Sequence, residues 1–304
     1  MRVYVTGASG FIGGHVVREL RAAGAAVRDE WIDLSDRARL RRAIAGCDAV
    51  FHLAALYSYE APASEHERVN VAGTRTVVEL CRELGVRRLV HTSTCGTCGP
   101  VPKRPATERD APPPWELAVP YKRTKLEAER IVLAAARDGL DAVVVNPTTP
   151  VGEGDRFPTP TGRMIQGVAT GRYRAYVDTG VNVVDVRDVA RGHLLAYERG
   201  RGGERYLLGG VDLTLRDLFA AVADLAGRPR PRLRLPYPAV EALARAGLAN
   251  REEVALARLP MYYSWAKAAR ELGYAPGPVE PALARAVREA LERERLLEGV
   301  GTAG

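Results

Sequence analysis

Residues 121–125 combine two side chains that could carry out acid–base chemistry. Tyr121 and Lys125 stand four positions apart in a segment, about 121–137, that is predicted to be helical, so both lie on one helix face. A nearby ammonium would lower the phenol pKa from about 10 and make the hydroxyl a usable proton donor or acceptor. Only four of the 44 Lys and Arg residues are lysines, at 103, 122, 125 and 267, which makes a lysine here informative. The same spacing is common on surface helices, so its context matters.

Hydroxyl groups stand 27 residues before the tyrosine. A predicted strand at 88–92 is followed by Ser93 and Thr94. Open α/β sheets bind their ligands at the carboxyl ends of the strands, where the Thr94 hydroxyl could hydrogen-bond a substrate carbonyl while Tyr121 exchanges the proton. The alternative is a threonine-rich strand end that satisfies its own backbone.

Three glycines follow the first predicted strand and open a helix. Gly7, Gly10 and Gly13 would allow a sharp turn, close approach of the backbone to a pyrophosphate, and tight packing of helix on strand. The helix N-terminus would hold the phosphates. The spacing G-x-x-G-x-x-G differs by one residue from G-x-G-x-x-G, and a tight turn without ligand is the alternative. We predict that this loop binds a dinucleotide.

The segment 24–47 leaves the choice between NAD and NADP open. Asp29, Glu30 and Asp33 could bind ribose or adenine and would favour NAD, whereas Arg28 could pair with a 2′-phosphate and would favour NADP. The segment is short, and one strand–helix unit is predicted to be missing or fused. Solvent-exposed loop charges are the alternative interpretation.

Strand and helix patterns alternate along the first 150 residues, which predicts an α/β fold with a doubly wound parallel sheet of Rossmann type. A proline-rich stretch follows, and the segment 183–193 is expected to return to the main sheet. We predict a dinucleotide-binding domain from 1–150 and about 181–224, and a smaller, mainly C-terminal substrate-binding region from 151–180 and about 225–278. A helix at 279–298 and a frayed tail at 299–304 complete the prediction.

Composition excludes several classes of function. The chain has 304 residues and a formal charge of +7, but its basic residues are interleaved with acidic ones, so no nucleic-acid partner is expected. No apolar run is long enough to span a membrane, and no signal-peptide pattern is present, so we expect a cytoplasmic protein without a membrane partner. Four cysteines fit a reduced compartment. The lone C-x-x-C at 95–98 is weak evidence for zinc or redox chemistry, and no metal is expected.

Taken together, these motifs resemble the extended short-chain dehydrogenase/reductase family, which includes the NAD-dependent epimerases and dehydratases. The resemblance is carried, in family order, by TGASGFIG at 6–13, HLAA at 52–55, NVAGT at 70–74, TST at 92–94, YKRTK at 121–125 and NP at 146–147. Segments at 145–150, 158–162 and 176–180 are similar to the hopanoid-associated sugar epimerase group, itself similar to dihydroflavonol reductases.

The resemblance implies roles for individual residues. Thr94, Tyr121 and Lys125 would form the catalytic triad, with Lys125 also binding the cofactor ribose. The implied NAD or NADP site comprises Gly7, Gly10, Phe11, Ile12, Gly13, Arg28, Asp33, Leu53, Ala54, Ala55, Asn70, Lys125, Asn146, Pro147 and Thr149. Two departures from the family pattern are the shortened segment 24–47 and the cysteines after Thr94.

Three functions remain. The leading hypothesis is an NAD(P)-dependent epimerase or reductase that transfers hydride at a hydroxyl or carbonyl carbon of a sugar or sugar nucleotide. The first alternative is a dihydroflavonol reductase-like, NADPH-dependent reductase of a less polar ketone or aldehyde. The second is a catalytically silent NAD(P)-binding sensor, which the intact triad argues against. We expect a small-molecule substrate and consider a homodimer.

Overall fold

Parallel strands and crossover helices dominate the chain. The computed structural model describes the backbone of residues 1–301 and the side chains of residues 1–296. The strands are β1 (Arg2–Thr6), β2 (Ala26–Arg28), β3 (Ala49–His52), β4 (Arg88–Thr92), β5 (Ala142–Pro147), β6 (Thr149–Val151), β7 (Ala175–Val177), β8 (Gly180–Asp185), β9 (Arg205–Leu208), β10 (Val211–Thr214) and β11 (Leu233–Leu235).

The helices lie mostly between successive strands. They are α1 (Phe11–Ala22), α2 (Arg37–Ile44), α3 (Ala63–His66), α4 (Gly73–Glu83), α5 (Pro120–Arg137), α6 (Pro160–Ala169), α7 (Val186–Arg199), α8 (Leu215–Leu225), α9 (Tyr237–Arg245), α10 (Arg251–Leu256), α11 (Ala266–Leu272) and α12 (Glu280–Gly301). A π-helical stretch, Glu67–Ala72, joins α3 to α4, and short 3₁₀ turns span Cys95–Thr97 and Pro114–Ala118. Within residues 1–301, no helix is long and apolar enough to cross a bilayer.

Six parallel strands form the main sheet in the order β2-β1-β3-β4-β5-β9. Residues of β1 alternate between its two faces: Val3 and Val5 pack in one core cluster, and Tyr4 packs in the other. Helices α1 and α7 pack together, and their buried residues join the cluster of Val3 and Val5. Helices α4 and α5 also pack together, and their buried residues join the cluster of Tyr4. Both faces of the sheet are covered, which confirms the predicted doubly wound, Rossmann-type α/β fold.

Two sequence-based expectations about the sheet were wrong. The strand–helix unit in the segment 24–47 is neither missing nor fused, because β2 pairs with β1 and α2 follows it; three residues were too few to show a strand pattern. The segment at 183 does not rejoin the main sheet. Strand β8 lies instead in a small sheet of order β10-β8-β6, and β9 supplies the sixth strand of the main sheet.

A third core cluster joins α6, α8 and α12 beside the small sheet. Strand β11 pairs with β7, and α9 and α10 pack beside this pair. The last helix ends at Gly301 rather than at 298, so the predicted tail begins too early, and its residues 302–304 lie outside the described part of the chain. The proposed division into domains stays a prediction.

Candidate active site

One large cavity, of about 710 Å³, opens at the carboxyl edge of the main sheet. The glycine loop, the ends of β3, β4 and β5, and the first turns of α5 form one side of it. Residues of α6, α9 and α10 form the other side. The cavity therefore lies where a doubly wound sheet is expected to bind its ligand.

The glycine loop brings backbone to the cavity surface. Gly7 has a φ of +69°, and a Cβ there would lie 2.6 Å from the amide nitrogen of Ala54. A Cβ on Gly13 would lie 2.0 Å from the Gly7 carbonyl oxygen, so the first turn of α1 packs directly on the loop. Phe11 and Ile12 also line the cavity. This helix N-terminus, with three glycines at the cavity wall, suits a pyrophosphate.

Tyr121, Lys125 and Thr94 all line the cavity. Lys125 is almost completely buried, and its ammonium donates a hydrogen bond of 2.7 Å to the Thr92 carbonyl oxygen. Burial lowers the pKa of Lys125 to about 8, and the nearby Glu129 carboxylate opposes part of this shift. The structure thus places the three predicted catalytic side chains around one space.

The pKa of Tyr121 differs from the sequence-based expectation. Burial raises it above its ordinary value, Tyr57 raises it further, and the Thr94 hydroxyl opposes the shift. The aromatic rings of Tyr57 and Tyr121 lie 4.6 Å apart. Lys125 is not among the groups that lower this pKa. In the free protein the Tyr121 hydroxyl is therefore protonated at neutral pH and can donate a proton.

Thr94 caps the short 3₁₀ turn that follows β4. Its hydroxyl accepts a hydrogen bond of 3.2 Å from the Gly96 amide, and its carbonyl oxygen accepts one of 3.0 Å from Asn146 Nδ2. The Thr94 hydroxyl is therefore bonded to local backbone, as the predicted alternative proposed. These bonds fix the residue at the cavity wall, which is also what a substrate-orienting hydroxyl requires.

A buried carboxylate that the sequence analysis missed supports this loop. Glu129 Oε2 accepts hydrogen bonds of 2.7 Å from both Thr97 Oγ1 and Asn146 Nδ2. Its Oε1 accepts one of 2.7 Å from Arg205. Glu129 follows Lys125 by one helical turn, a spacing that could have drawn attention to it, but no motif connects it to residue 205.

The predicted cofactor residues fall into two groups. Leu53, Ala55, Pro147 and Thr149 line the cavity together with the glycine loop. Ala54 packs against Gly7 and donates its amide hydrogen to Thr6.

Two of the predicted cofactor residues support the wall from behind. Asn70 bonds to both backbone groups of Leu56 and to the Thr124 hydroxyl, which ties the loop after β3 to α5. Asn146 lies behind the Thr94 loop. Neither Asn70 nor Asn146 is part of the cavity lining.

Arg28 and Asp33 also lie outside the cavity lining. Arg28 donates hydrogen bonds of 2.8 and 2.9 Å to the carbonyl oxygens of Ala43 and Ala45 at the end of α2. The Asp33 carboxylate accepts bonds from Ser35, which hold its pKa below the usual range. Their roles toward a nucleotide stay predictions, and the choice between NAD and NADP stays open.

The predicted C-x-x-C pair lies in an apolar cluster. Cys95 and Cys98 are both free and buried, and they pack with Ala106, Leu207 and Tyr263. Burial raises the pKa of both thiols, which makes the thiolate forms unfavourable at neutral pH. Both thiols thus lie in a packed apolar environment, and Cys95 also forms part of the cavity lining.

Most of the cavity wall beyond residue 160 is apolar. This part of the lining includes Met164, Tyr176, Val177, Val181, Phe219, Leu235, Val240, Val254, Leu256 and Met261. The charged members of the lining are Glu60, Lys122, Lys125, Arg163 and Glu253, and the last pair form an ion pair of 3.4 Å. Most of these residues lie in the segments 151–180 and 225–278 that were predicted to bind substrate, but Val181 and Phe219 lie in the segment 181–224, which was predicted to belong to the dinucleotide-binding domain.

Comparison with known proteins shows the relationships of the chain. The model of the NAD dependent epimerase/dehydratase family matches residues 3–209. A sterol demethylase protein B from Methylococcus capsulatus is 34% identical, over 96% of this chain and 99% of that one. A 4-hydroxy-2-methyl-3-oxo-4-farnesyl-3,4-dihydroquinoline-1-oxide ketoreductase from Stigmatella aurantiaca is 33% identical, over 90% and 92%.

A solved structure also resembles the chain over almost its whole length. The dTDP-glucose 4,6-dehydratase from Streptomyces venezuelae, a structure with NAD bound, is 26% identical, with a TM-score of 0.81 and coverage of 96% and 97%. The fold, the glycine loop and these matches agree with the resemblance found in the sequence. The chain belongs to the NAD dependent epimerase/dehydratase family of extended short-chain dehydrogenases/reductases and is an NAD(P)-dependent enzyme.

Proposed function

We propose that the enzyme interconverts a ketone or aldehyde and the corresponding alcohol on a predominantly apolar small molecule. The observation that carries this proposal is the apolar wall contributed by α6, α8, α9 and neighbouring strands, which faces the same cavity as Tyr121 and Thr94. A sugar has several hydroxyl groups, each of which needs a hydrogen-bond partner when it is buried. An apolar wall supplies few such partners.

The cavity residues divide the work of a reduction between them. When bound, the nicotinamide cofactor supplies hydride to the carbonyl carbon. Tyr121 donates its hydroxyl proton to the carbonyl oxygen, so that C=O becomes CH–OH, and burial ensures that the hydroxyl carries this proton in the free protein. Thr94 orients the carbonyl oxygen, and its hydroxyl, which lowers the pKa of Tyr121, stabilises the phenolate that Tyr121 becomes.

The glycine loop and its neighbours would hold the dinucleotide. Gly7, Gly10 and Gly13 present backbone toward the cavity, and Phe11 and Ile12 form the start of α1 beside them. Lys125 is available for a ribose hydroxyl. Cytoplasmic location and a homodimer stay predictions.

Epimerisation of a sugar nucleotide is the competing function. The likeness to a dTDP-glucose dehydratase favours it, and the same three side chains could serve both reactions. The two differ in their cofactor balance, because a reduction consumes NAD(P)H whereas an epimerisation regenerates the cofactor.

A substrate panel separates these functions. Purified enzyme is incubated with apolar ketones and NADH or NADPH, and separately with sugar nucleotides and NAD or NADP. Absorbance at the nicotinamide band is followed, and the sugar nucleotides are analysed for epimerisation. We expect net oxidation with apolar ketones. Epimerised sugar nucleotide without net cofactor oxidation, combined with inactivity on every ketone, would refute the proposal.

A tyrosine variant tests the assignment of the proton donor. Tyr121→Phe should lower turnover by about 10²-fold or more, because it removes a positioned acid. Tyr173→Phe is the matched control, since Tyr173 also lines the cavity but is exposed to solvent. Equal turnover of the two variants would show that Tyr121 is not the proton donor.

A further inference from the structure

A buried ion pair stands beside the proposed catalytic tyrosine. Lys122 follows Tyr121 directly in α5, and its Nζ lies 3.3 Å from a carboxylate oxygen of Glu116. The side chain of Lys122 is 5% exposed and that of Glu116 is fully buried. Among residues 1–296, neither oxygen of Glu116 has a hydrogen-bond partner. Burying such a weakly supported pair costs free energy, so a packing role alone is a poor explanation for it.

The ammonium of Lys122 packs against Gly96, two residues after Thr94. A Cβ on Gly96 would lie only 2.3 Å from Lys122 Nζ, so the ammonium occupies the space that a side chain at residue 96 would need. The amide of Gly96 is bonded to the Thr94 hydroxyl. Lys122 also belongs to the cavity lining. A compact cation therefore lies close to the group that would orient the reacting carbonyl.

An ammonium has three N–H donors, and the 3.3 Å contact with Glu116 is an ion pair without a hydrogen bond. These donors can be satisfied from the cavity only by an oxygen or nitrogen acceptor. Because Glu116 already balances the charge, a neutral acceptor suits the site better than a carboxylate, which would compete with Glu116 for the ammonium.

We propose that Lys122 binds a second, uncharged oxygen of the substrate close to the reacting carbonyl, so that preferred substrates are 3-oxo esters or similar dioxygenated compounds rather than isolated ketones. This inference rests on the proposed function, because it concerns the substrate of that same site. It makes Lys122 a specificity-determining residue and assigns Glu116 the task of balancing its charge.

Two compounds test the inference. Ethyl 3-oxohexanoate and 4-nonanone share a propyl ketone and a chain of the same length, but only the ester has a second carbonyl. The measurement is the ratio of their kcat/KM values, which is compared between variants because the two ketones differ in intrinsic reactivity.

The double variant Lys122→Met/Glu116→Gln removes the pair without leaving a buried unpaired charge. We expect the ester-to-ketone ratio to fall by about 10- to 100-fold, as for loss of one hydrogen bond to a charged group. Lys267→Met/Glu204→Gln is the matched control, since it removes another lysine–glutamate pair, 2.6 Å long, that lies outside the cavity lining.

Gly96→Ala provides a second variant if the double variant fails to fold. Its methyl group would push the ammonium away while the charge is retained, and the ratio should fall in the same direction. A ratio within about threefold of wild type in a folded variant, with both activities reduced alike, would overturn the inference and indicate a structural role. If the wild-type enzyme reduces neither compound nor any other ketone, the proposed function itself fails.

Discussion

The buried carboxylate of Glu129 offers the sharpest test of how the active site is supported. It is 1% exposed and accepts three hydrogen bonds of 2.7 Å, from Thr97, Asn146 and Arg205. These bonds connect α5 to the loop after β4, to β5 and to β9. Glu129→Gln preserves the shape of the side chain but removes its charge and turns one of its two acceptors into a donor.

The expected cost follows from the burial of these partners. The Arg205 side chain is 20% exposed, so the variant leaves a largely buried guanidinium without its counter-ion. Breaking a buried ion pair from one side costs about 3–5 kcal/mol, and partial exposure places the expectation near the lower end, at about 3 kcal/mol. That is a large part of the total of about 5–15 kcal/mol that stabilises a typical domain.

Urea denaturation followed by circular dichroism measures this loss. Glu127→Gln is the matched control, because Glu127 lies on the same helix and is exposed to solvent; it should change the free energy of unfolding by less than about 0.5 kcal/mol. If Glu129→Gln destabilises the protein no more than Glu127→Gln does, the carboxylate does not support the site as described.

Three further predictions concern the cofactor side of the cavity. Gly13→Ala should weaken NAD(P)H binding by about tenfold or more in a fluorescence titration, because its Cβ would overlap the Gly7 carbonyl. Gly14→Ala is the control and should bind the cofactor normally, since the nearest atom to its Cβ would be 3.7 Å away. Equal affinities of the two variants would contradict the role of Gly13. Lys125 is an ammonium below its pKa of about 8 and loses its proton above it, so NAD(P)H affinity should fall as pH rises through about 8. The affinity of Lys125→Met should not depend on pH in this range. If it does, a group other than Lys125 causes the pH dependence. Arg28→Ala should lower the melting temperature by a few degrees, because hydrogen bonds to the end of α2 are lost. The ratio of NADPH to NADH affinity should not change; a selective loss of NADPH binding would instead support the 2′-phosphate role.

Local patterns were enough to predict the glycine loop and a doubly wound parallel sheet, but not all six strands of that sheet. Buried parallel strands have continuous apolar runs, and the turn from β1 into α1 requires glycine within a few residues, so both signals are contained in short segments. Strand β2 lacks this signal. Its three residues, Ala26–Arg28, are exposed or half-buried and form no apolar run, so it was not predicted.

Long-range contacts explain what the sequence could not show. Glu129 and Arg205 are 76 residues apart, and no pattern in either segment predicts that α5 and β9 meet there. The pKa of Tyr121 is a second example. The sequence supplied a lysine four residues away, which argues for a lowered pKa, but burial and Tyr57 raise it, and burial depends on the packed structure.

The surroundings of Lys122 and Lys125 explain why these two positions have lysine in a chain that mostly uses arginine. Lys122 and Lys125 are both buried at the cavity wall, and each ammonium has little room: one is packed against Gly96, and the other is bonded at 2.7 Å to the Thr92 carbonyl oxygen. A guanidinium is planar and wider than an ammonium, so arginine would not fit against Gly96 without moving the Thr94 loop. In a chain that otherwise uses arginine, two of its four lysines thus stand where a compact cation must approach backbone beside the reacting groups.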